Sequence, residues 1–386
     1  FLQLEANYSS PLLPFLGGGF AYDYLATFEE LPEVKPGANT YPDYEFLVAQ
    51  TVLAMDHLQG TAHLEGWDID DKRLREELDS LASLPAAARP AAPQKEKIRA
   101  VADVDDAGFR AGVDKLKGNI HAGDIYQVVP ARAFTVDCPN ALAAYRALRE
   151  TNPSPYMFYV RGADYELFGA SPESNLKFAP KDRQVQLYPI AGTRPRGLNP
   201  DGSINHELDI RNELDMRTDQ KEIAEHTMLV DLARNDLARV AVPRSRQVAE
   251  LLHVDRYSRV MHLVSRVTAT LHPDFDALHT YRACMNMGTL TGAPKLRATE
   301  LVRRTEGKRR GSYGGAVGYL RGDGAMDNCI VIRSAYVQDG TAVVQAGAGV
   351  VKDSVPQAEA DETVHKAYAV LQAIAMAHGA ELEVQR

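Results

Sequence analysis

Residues Tyr156 to Phe178 read YMFYVRGADYELFGASPESNLKF. Three short apolar runs are separated by the turn-forming clusters RGAD and SPE, and each run is too short for a helix but right for a strand. Similar segments lie outward at Gln184 to Ile190, Gln247 to Val254, Val260 to Leu271 and Ile125 to Phe134. Phe46 to Met55 (FLVAQTVLAM) reads as one buried strand. Helical spacing occupies Thr218 to Val240, Asp274 to Met285, Gly292 to Thr305 and Val355 to His378, with a charged amphipathic helix at Asp70 to Leu84. Phe109, Val113, Leu116 and Ile120 recur at the same spacing, closed by Gly123. Strands bunch between helices without βαβ alternation, so the pattern predicts an α+β fold with mostly antiparallel sheets rather than a doubly wound one. No repeat of 20–50 residues is present. Pro85 to Lys97 (PAAARPAAPQKEK) has linker composition and divides an N-terminal lobe, residues 1–97, from a core at 98–386.

The 386 residues are 45% apolar and 25% charged, the balance of a globular protein. No apolar run reaches the ~20 residues of a membrane span. A formal net charge of -9 argues against a general nucleic-acid binder. An anionic ligand would therefore need a local basic site. Cys138, Cys284 and Cys329 are widely spaced and odd in number, which suits buried thiols in a reducing cytoplasm; no CxxC pair is present.

Two helical segments each carry carboxylates one turn apart on a shared face: Glu222 and Glu225, and Glu359 and Glu362 with Lys366 extending the stripe. Ser354 reads as the second helix's N-cap, with Pro356 in its first turn. Four such carboxylates would suit a hard divalent cation, Mg2+, although acidic pairs also occur on solvated faces. Arg333 follows an apolar run, CIVI, and must be paired with a buried acid or face a ligand. Glycine-rich stretches at Gly311 to Tyr319 and Gln345 to Val351 either form tight turns or bring backbone N–H groups to an anion. His262 sits in an apolar strand as a core residue or a catalyst, and Glu173, after Ser-Pro, is a turn acid or a poised general acid. No GxSxG, HExxH or glutaminase cysteine element occurs.

The blocks ASPESNLKF, YPIAGTRPRG, DMRTDQKEIAEHTMLVDLARNDLARV, DRYSRVMHLVSRV, YRACMNMGTLTGAPK, RRGSYGGAVGY, CIVIRSA and VQAGAGVVKDSVPQAEADET, in this order, strongly resemble the chorismate-utilising family. The likeness runs from about Gly17 to the C-terminus and is strongest to the anthranilate-forming enzymes of the enteric type. It implies a four-layer α/β/β/α sandwich with the site between two sheets. It also implies a carbon–oxygen lyase of tryptophan biosynthesis that turns chorismate and ammonia into anthranilate and pyruvate through 2-amino-2-deoxyisochorismate. By this resemblance Glu225 and Glu362 would hold Mg2+, with Glu222 and Glu359 beside them. Arg333 and Tyr313, with the Gly347 and Gly349 backbone, would bind the enolpyruvyl carboxylate, and Lys366 would stand near the ring carboxylate. Thr193 and Thr289 would line the site, Glu173 would protonate the departing C4 hydroxyl, and His262 would position the intermediate.

Within the family, water-using members carry lysine where Gln127 stands and aminodeoxychorismate synthases carry lysine where Ala191 stands. Both residues therefore point to ammonia and an ortho product. A synthase that releases 2-amino-2-deoxyisochorismate without elimination is the closest alternative. A Mg2+-dependent hydrolase or phosphotransferase would call for more lysines near the carboxylates, and a non-catalytic paralogue would have lost some of these acids. A separate glutamine amidotransferase subunit is expected to supply ammonia, with a heterotetramer as one assembly the resemblance allows. The family's tryptophan-feedback site corresponds to Asn152, Pro153, Ser154, Tyr156 and Met157 with an N-terminal LLES motif. FLQLEAN (Phe1 to Asn7) only echoes that motif, so the lobe reads as truncated and feedback is not assured.

Overall fold

In the computed structural model, which describes residues 12–67, 69–83, 97–257 and 259–386, the strands sort into two large sheets. The nine-stranded sheet runs Ile190–Pro195, Val260–Thr270, Gln184–Leu187, Ser174–Ala179, Met326–Ile330, Ala316–Arg321, Phe15–Phe20, Tyr44–Ala49, with Gln247–Arg256 also paired to Val260–Thr270. The seven-stranded sheet runs Glu381–Gln385, Lys97–Ala102, Ala131–Asp137, Thr341–Gly347, Ser334–Gln338, Glu166–Ser171, Tyr156–Arg161. In these two sheets every pairing is antiparallel except Glu381–Gln385 beside Lys97–Ala102, as the lack of βαβ alternation predicts.

Period-2 alternation explains the layers. Phe168, Ala335 and Val337 point from the seven-stranded sheet toward helices Ala141–Thr151 and Pro356–Ala377, in a core with Ala144, Leu148, Leu371 and Ile374. Their strand neighbours Leu167 and Tyr336 point the other way and meet Val317 and Cys329 of the nine-stranded sheet. The outer face of that second sheet, with Leu176, Leu187 and Leu320, packs on helices Gln220–Ala238 and Ala277–Cys284 through Val230, Leu237 and Tyr281. The order is helix, sheet, sheet, helix.

Three local expectations are corrected. Phe46 to Met55 is not one buried strand: it breaks at exposed Gln50 into Tyr44–Ala49, which adds to the nine-stranded sheet, and Thr51–Asp56, which forms a separate hairpin with Thr61–Gly66. Leu47, Val48 and Met55 are exposed, so the apolar run reflects a strand with little cover on one face. Ile125 to Phe134 breaks at Pro130, which has no N–H to give a ladder, into Gln127–Val128 and Ala131–Asp137. The N-cap of the last long helix is Val355 rather than Ser354, whose hydroxyl instead accepts from Val351 N at 3.0 Å; Pro356 takes the first turn as expected. The linker-like stretch, apart from Lys97, and FLQLEAN lie outside the described residues.

One buried cation fixes the helix that carries Glu359 and Glu362. Arg132, 1% exposed, donates to Thr363 Oγ1 (2.8 Å), Ala360 O (2.9 Å) and Val104 O (3.0 Å), and pairs with Asp106 at 2.9 Å. Arg132→Met should leave these acceptors unsatisfied and cost about 3 kcal/mol. The measurement is the urea midpoint, and an unchanged midpoint would show that the network contributes nothing net.

Candidate active site

Glu173 and Arg333 occupy two short connections by which the chain passes directly from one sheet to the other. Glu166–Ser171 belongs to the seven-stranded sheet and Ser174–Ala179 to the nine-stranded one, with Pro172 and Glu173 between them. Met326–Ile330 and Ser334–Gln338 cross in the opposite sense, with Arg333 just before the second strand. Backbone bonds lock the crossings together: Ile330 N to Glu173 O and Ala170 N to Arg333 O, both 3.0 Å. Arg333 has φ 49°, a left-handed conformation that costs a non-glycine residue of order 1 kcal/mol and is held by its surroundings. Its Nη1 donates to Lys366 O at 3.1 Å, and no carboxylate lies in ion-pair contact with it among the described residues. Burial lowers its proton affinity, with Tyr313, Glu362 and Glu173 opposing.

Glu173 is 6% exposed, and its Oε1 has no protein partner among the described residues. Burial pushes its carboxyl up to about 8, against the opposing influence of the Thr289 hydroxyl, Lys366 and Arg333. It is thus protonated at neutral pH. His262 is shifted the other way, down to about 4, by burial and then by Arg333, with Asp255 opposing. The neutral ring, held by Thr193 Oγ1 at 2.9 Å from Nδ1, can orient a ligand but holds no proton charge.

The two acidic helices start where their caps place them. Asp219 caps Gln220–Ala238 by accepting from Lys221 N (2.9 Å) and Glu222 N (3.2 Å), which sets Glu222 and Glu225 one turn apart at the cleft. Three of the four carboxylates already have a donor. Glu222 receives Arg194 Nη1 at 3.0 Å, Glu225 receives Gln127 Nε2 at 2.7 Å, and Glu362 pairs with Lys366 at 2.6 Å. Among the described residues no three metal-ligating side chains converge as a ready-made site. The donor set nonetheless fits Mg2+ chemically. Burial, and then the neighbouring Glu222 charge, raise Glu225's proton affinity, with Gln127, Lys221 and Lys366 opposing; burial and Glu362 do the same to Glu359. A cation would relieve that repulsion. Gly349 keeps the space open, since a Cβ there would lie 3.0 Å from Gln127 Nε2.

All these residues line one cleft of about 400 Å³: Gln127, Glu173, Thr193, Glu222, Glu225, His262, Thr289, Tyr313, Arg333, Gly347, Gly349, Glu359, Glu362 and Lys366, with Ala191. Tyr313 faces Gly347, where an added Cβ would lie 3.1 Å from its hydroxyl; burial pushes that hydroxyl up to about 12. Among the polar side chains of the cleft, sequence reading missed Lys221 and Gln345. Lys221 precedes an ExxE pair and could have been noticed; Gln345 carries no local signal. It also missed His226, buried behind the cleft, whose Nε2 lies 2.6 Å from Ser265 Oγ. The expected feedback residues are not all brought together. Asn152, Pro153 and Ser154 line a second cavity of about 350 Å³ that shares Thr193, His262 and Arg333 with the first. Tyr156 and Met157 lie on the adjacent strand, with Tyr156 Oη donating to Asp327 at 2.9 Å.

The cleft belongs to a recognisable group. Residues 2–372 match the family model described as chorismate binding enzyme. Anthranilate synthase component 1 of Salmonella typhimurium is 55% identical over 375 residues, covering 95% of this chain and 72% of that protein. The crystal structure of anthranilate synthase component I from Streptococcus pneumoniae superposes with a TM-score of 0.83 at 32% identity, covering 95% of this chain and 82% of that one. The menaquinone-specific isochorismate synthase MenF of Escherichia coli shares the fold at a TM-score of 0.73 and 21% identity, covering 94% and 79%. The chain belongs to the chorismate binding enzyme family.

Proposed function

We propose that the chain is a lyase with the activity named for its relatives of 55% identity, forming anthranilate and pyruvate from chorismate and ammonia. The observation that carries this reading is Glu173, a carboxyl buried so that it holds its proton to about pH 8 beside two cations. Arg333, Tyr313 and the Gly347 backbone take the enolpyruvyl carboxylate. Lys366 stands by the ring carboxylate. Ammonia attacks C2 with its lone pair, the ring double bond shifts, and the C4 hydroxyl leaves as water with the Glu173 proton. Neutral His262 then orients the intermediate while the C2 hydrogen passes to the enolpyruvyl methylene, the C3–O bond breaks to release pyruvate and the ring becomes aromatic. Glu225 and Glu362, with Glu222 and Glu359 beside them, are the residues to hold Mg2+, which when bound supplies charge neutralisation at the ring carboxylate.

Gln127 supports ammonia over water. An ionised Glu225 can only accept, so the Gln127 amide turns Nε2 toward it, leaving Oε1 buried in the cleft without a partner among the described residues. That carbonyl can receive an ammonia N–H but cannot remove a proton from water. Ala191 offers no amine for a covalent route. The 386 residues carry no glutaminase cysteine element, so a separate glutamine amidotransferase is the natural ammonia source. No described helix is long and apolar enough to cross a membrane.

Chorismate, Mg2+ and ammonium should give anthranilate fluorescence with the purified chain, and glutamine alone should give far less. Isochorismate or a para-substituted product on HPLC with mass detection would refute the assignment. Accumulated 2-amino-2-deoxyisochorismate would retain addition and remove elimination.

A further inference from the structure

Gln345 has no catalytic or binding role in the reading above, yet its amide is oriented by a chain of bonds that ends in the backbone. Asn39, 4% exposed, accepts on Oδ1 from Tyr41 N and Ser312 N, both 3.3 Å. Backbone N–H groups can only donate, so Asn39 cannot turn over, and its Nδ2 must be the donor on the other side. That nitrogen donates to Ser312 Oγ at 2.9 Å and to Gln345 Oε1 at 3.0 Å. The Gln345 oxygen is thereby committed to Asn39. Its Nε2 makes no hydrogen bond among the described residues, while Gln345, 8% exposed, lines the cleft. Gly311, at φ 64°, makes the close approach possible, since a Cβ there would fall 2.3 Å from Asn39 Oδ1.

Gln345 and Gly347 lie two residues apart on strand Thr341–Gly347 and so face the same side. Gly347 is against the Tyr313 hydroxyl, and Tyr313 follows Ser312, which belongs to the Asn39 network. We infer that Asn39 locks Gln345 with its N–H2 end toward the substrate, making Gln345 a further binding residue for the carboxylate held at Tyr313 and Arg333. Asn39 is the positioning residue that determines which end of the amide is presented. A carboxylate accepts hydrogen bonds, so the locked orientation attracts it and the reversed one would repel it. The inference rests on the reading of the cleft as a chorismate site.

The orientation gives a distinctive mutational pattern. Asn39→Asp keeps the acceptor for Tyr41 and Ser312 but has no donor for Gln345. Gln345 then turns its Nε2 to the new carboxylate and presents its oxygen to the substrate. Gln345→Met removes the donor without presenting an acceptor. Chorismate binding is measured by titration calorimetry with Mg2+ and without ammonium, so that no turnover occurs. Each single variant should weaken Kd by about 10-fold or more, the loss expected for a hydrogen bond to a charged group, with Asn39→Asp the worse. In the double variant Asn39 has no amide left to orient, so binding should be no weaker than in Gln345→Met alone. KM should rise in parallel while kcat changes little.

Should Asn39→Asp not fold, Gln345→Glu makes the same inversion at the cleft and should bind more weakly than Gln345→Met. Wild-type affinity in the Gln345 variants, or losses that add in the double variant, would overturn the relay. A wild type that binds chorismate but makes no anthranilate when ammonium is added counts against the proposed activity and leaves the relay standing. A wild type that binds no chorismate counts against both.

Discussion

Glu173→Gln should lower kcat by about 10³-fold, within the range general acids contribute, while leaving chorismate affinity nearly unchanged. The amide matches the acid in shape and is neutral, as Glu173 is at neutral pH, so the variant should fold normally. What it loses is the proton. The wild-type profile gives a second, independent readout. Glu173 is held up to about 8 by burial, so its acid form predominates below that pH and is lost as the pH rises through it. kcat/KM, which reports the groups of the free enzyme, should therefore fall on the alkaline side with an inflection near 8, and the residual activity of Glu173→Gln should lack that limb. A variant that keeps the same alkaline limb would assign the proton to another group. His262, held down to about 4, is neutral throughout this range and cannot produce the limb.

Glu225→Gln should be about as damaging, but through the metal. A neutral amide is a weak ligand for Mg2+, so the concentration needed for half-maximal rate should rise by about 100-fold or more and turnover should vanish at millimolar Mg2+. The same change should leave the thermal midpoint unchanged or slightly raised. Glu225 is kept partly buried against the Glu222 charge, and removing its ionisable group relieves desolvation and repulsion together. Mg2+-saturable activity like the wild type would remove Glu225 from the metal site. A large loss of stability would instead give its contact with Gln127 Nε2 a structural purpose.

The acidic helices show how far local signals reach. Glu222 with Glu225, and Glu359 with Glu362, share faces because of helical spacing, and Pro356 marks a helix start. Two of the longer helices escaped notice. His206–Thr218 buries only Asp209 and Met216, leaving no apolar stripe to detect, and the inward face of Ala141–Thr151 is Ala141, Ala144, Ala147 and Leu148, mostly too small to stand out. Phe46 to Met55 shows the converse: an apolar run whose exposure depends on neighbours far away in sequence.

By itself the sequence determined the fold class, the family, most of the longer helices and which acidic side chains share a helix face, because each depends on spacing or on motifs within a few residues. The tertiary structure alone decided that Glu173 and Arg333 stand at the crossings between two sheets, that Arg333 takes a left-handed backbone, and that Glu173 is buried enough to keep its proton. It alone joined Asn39 to Gln345, which are 306 residues apart. Proton affinity and amide orientation are set by desolvation and by partners packed in three dimensions, and no local pattern encodes which distant strand will supply them.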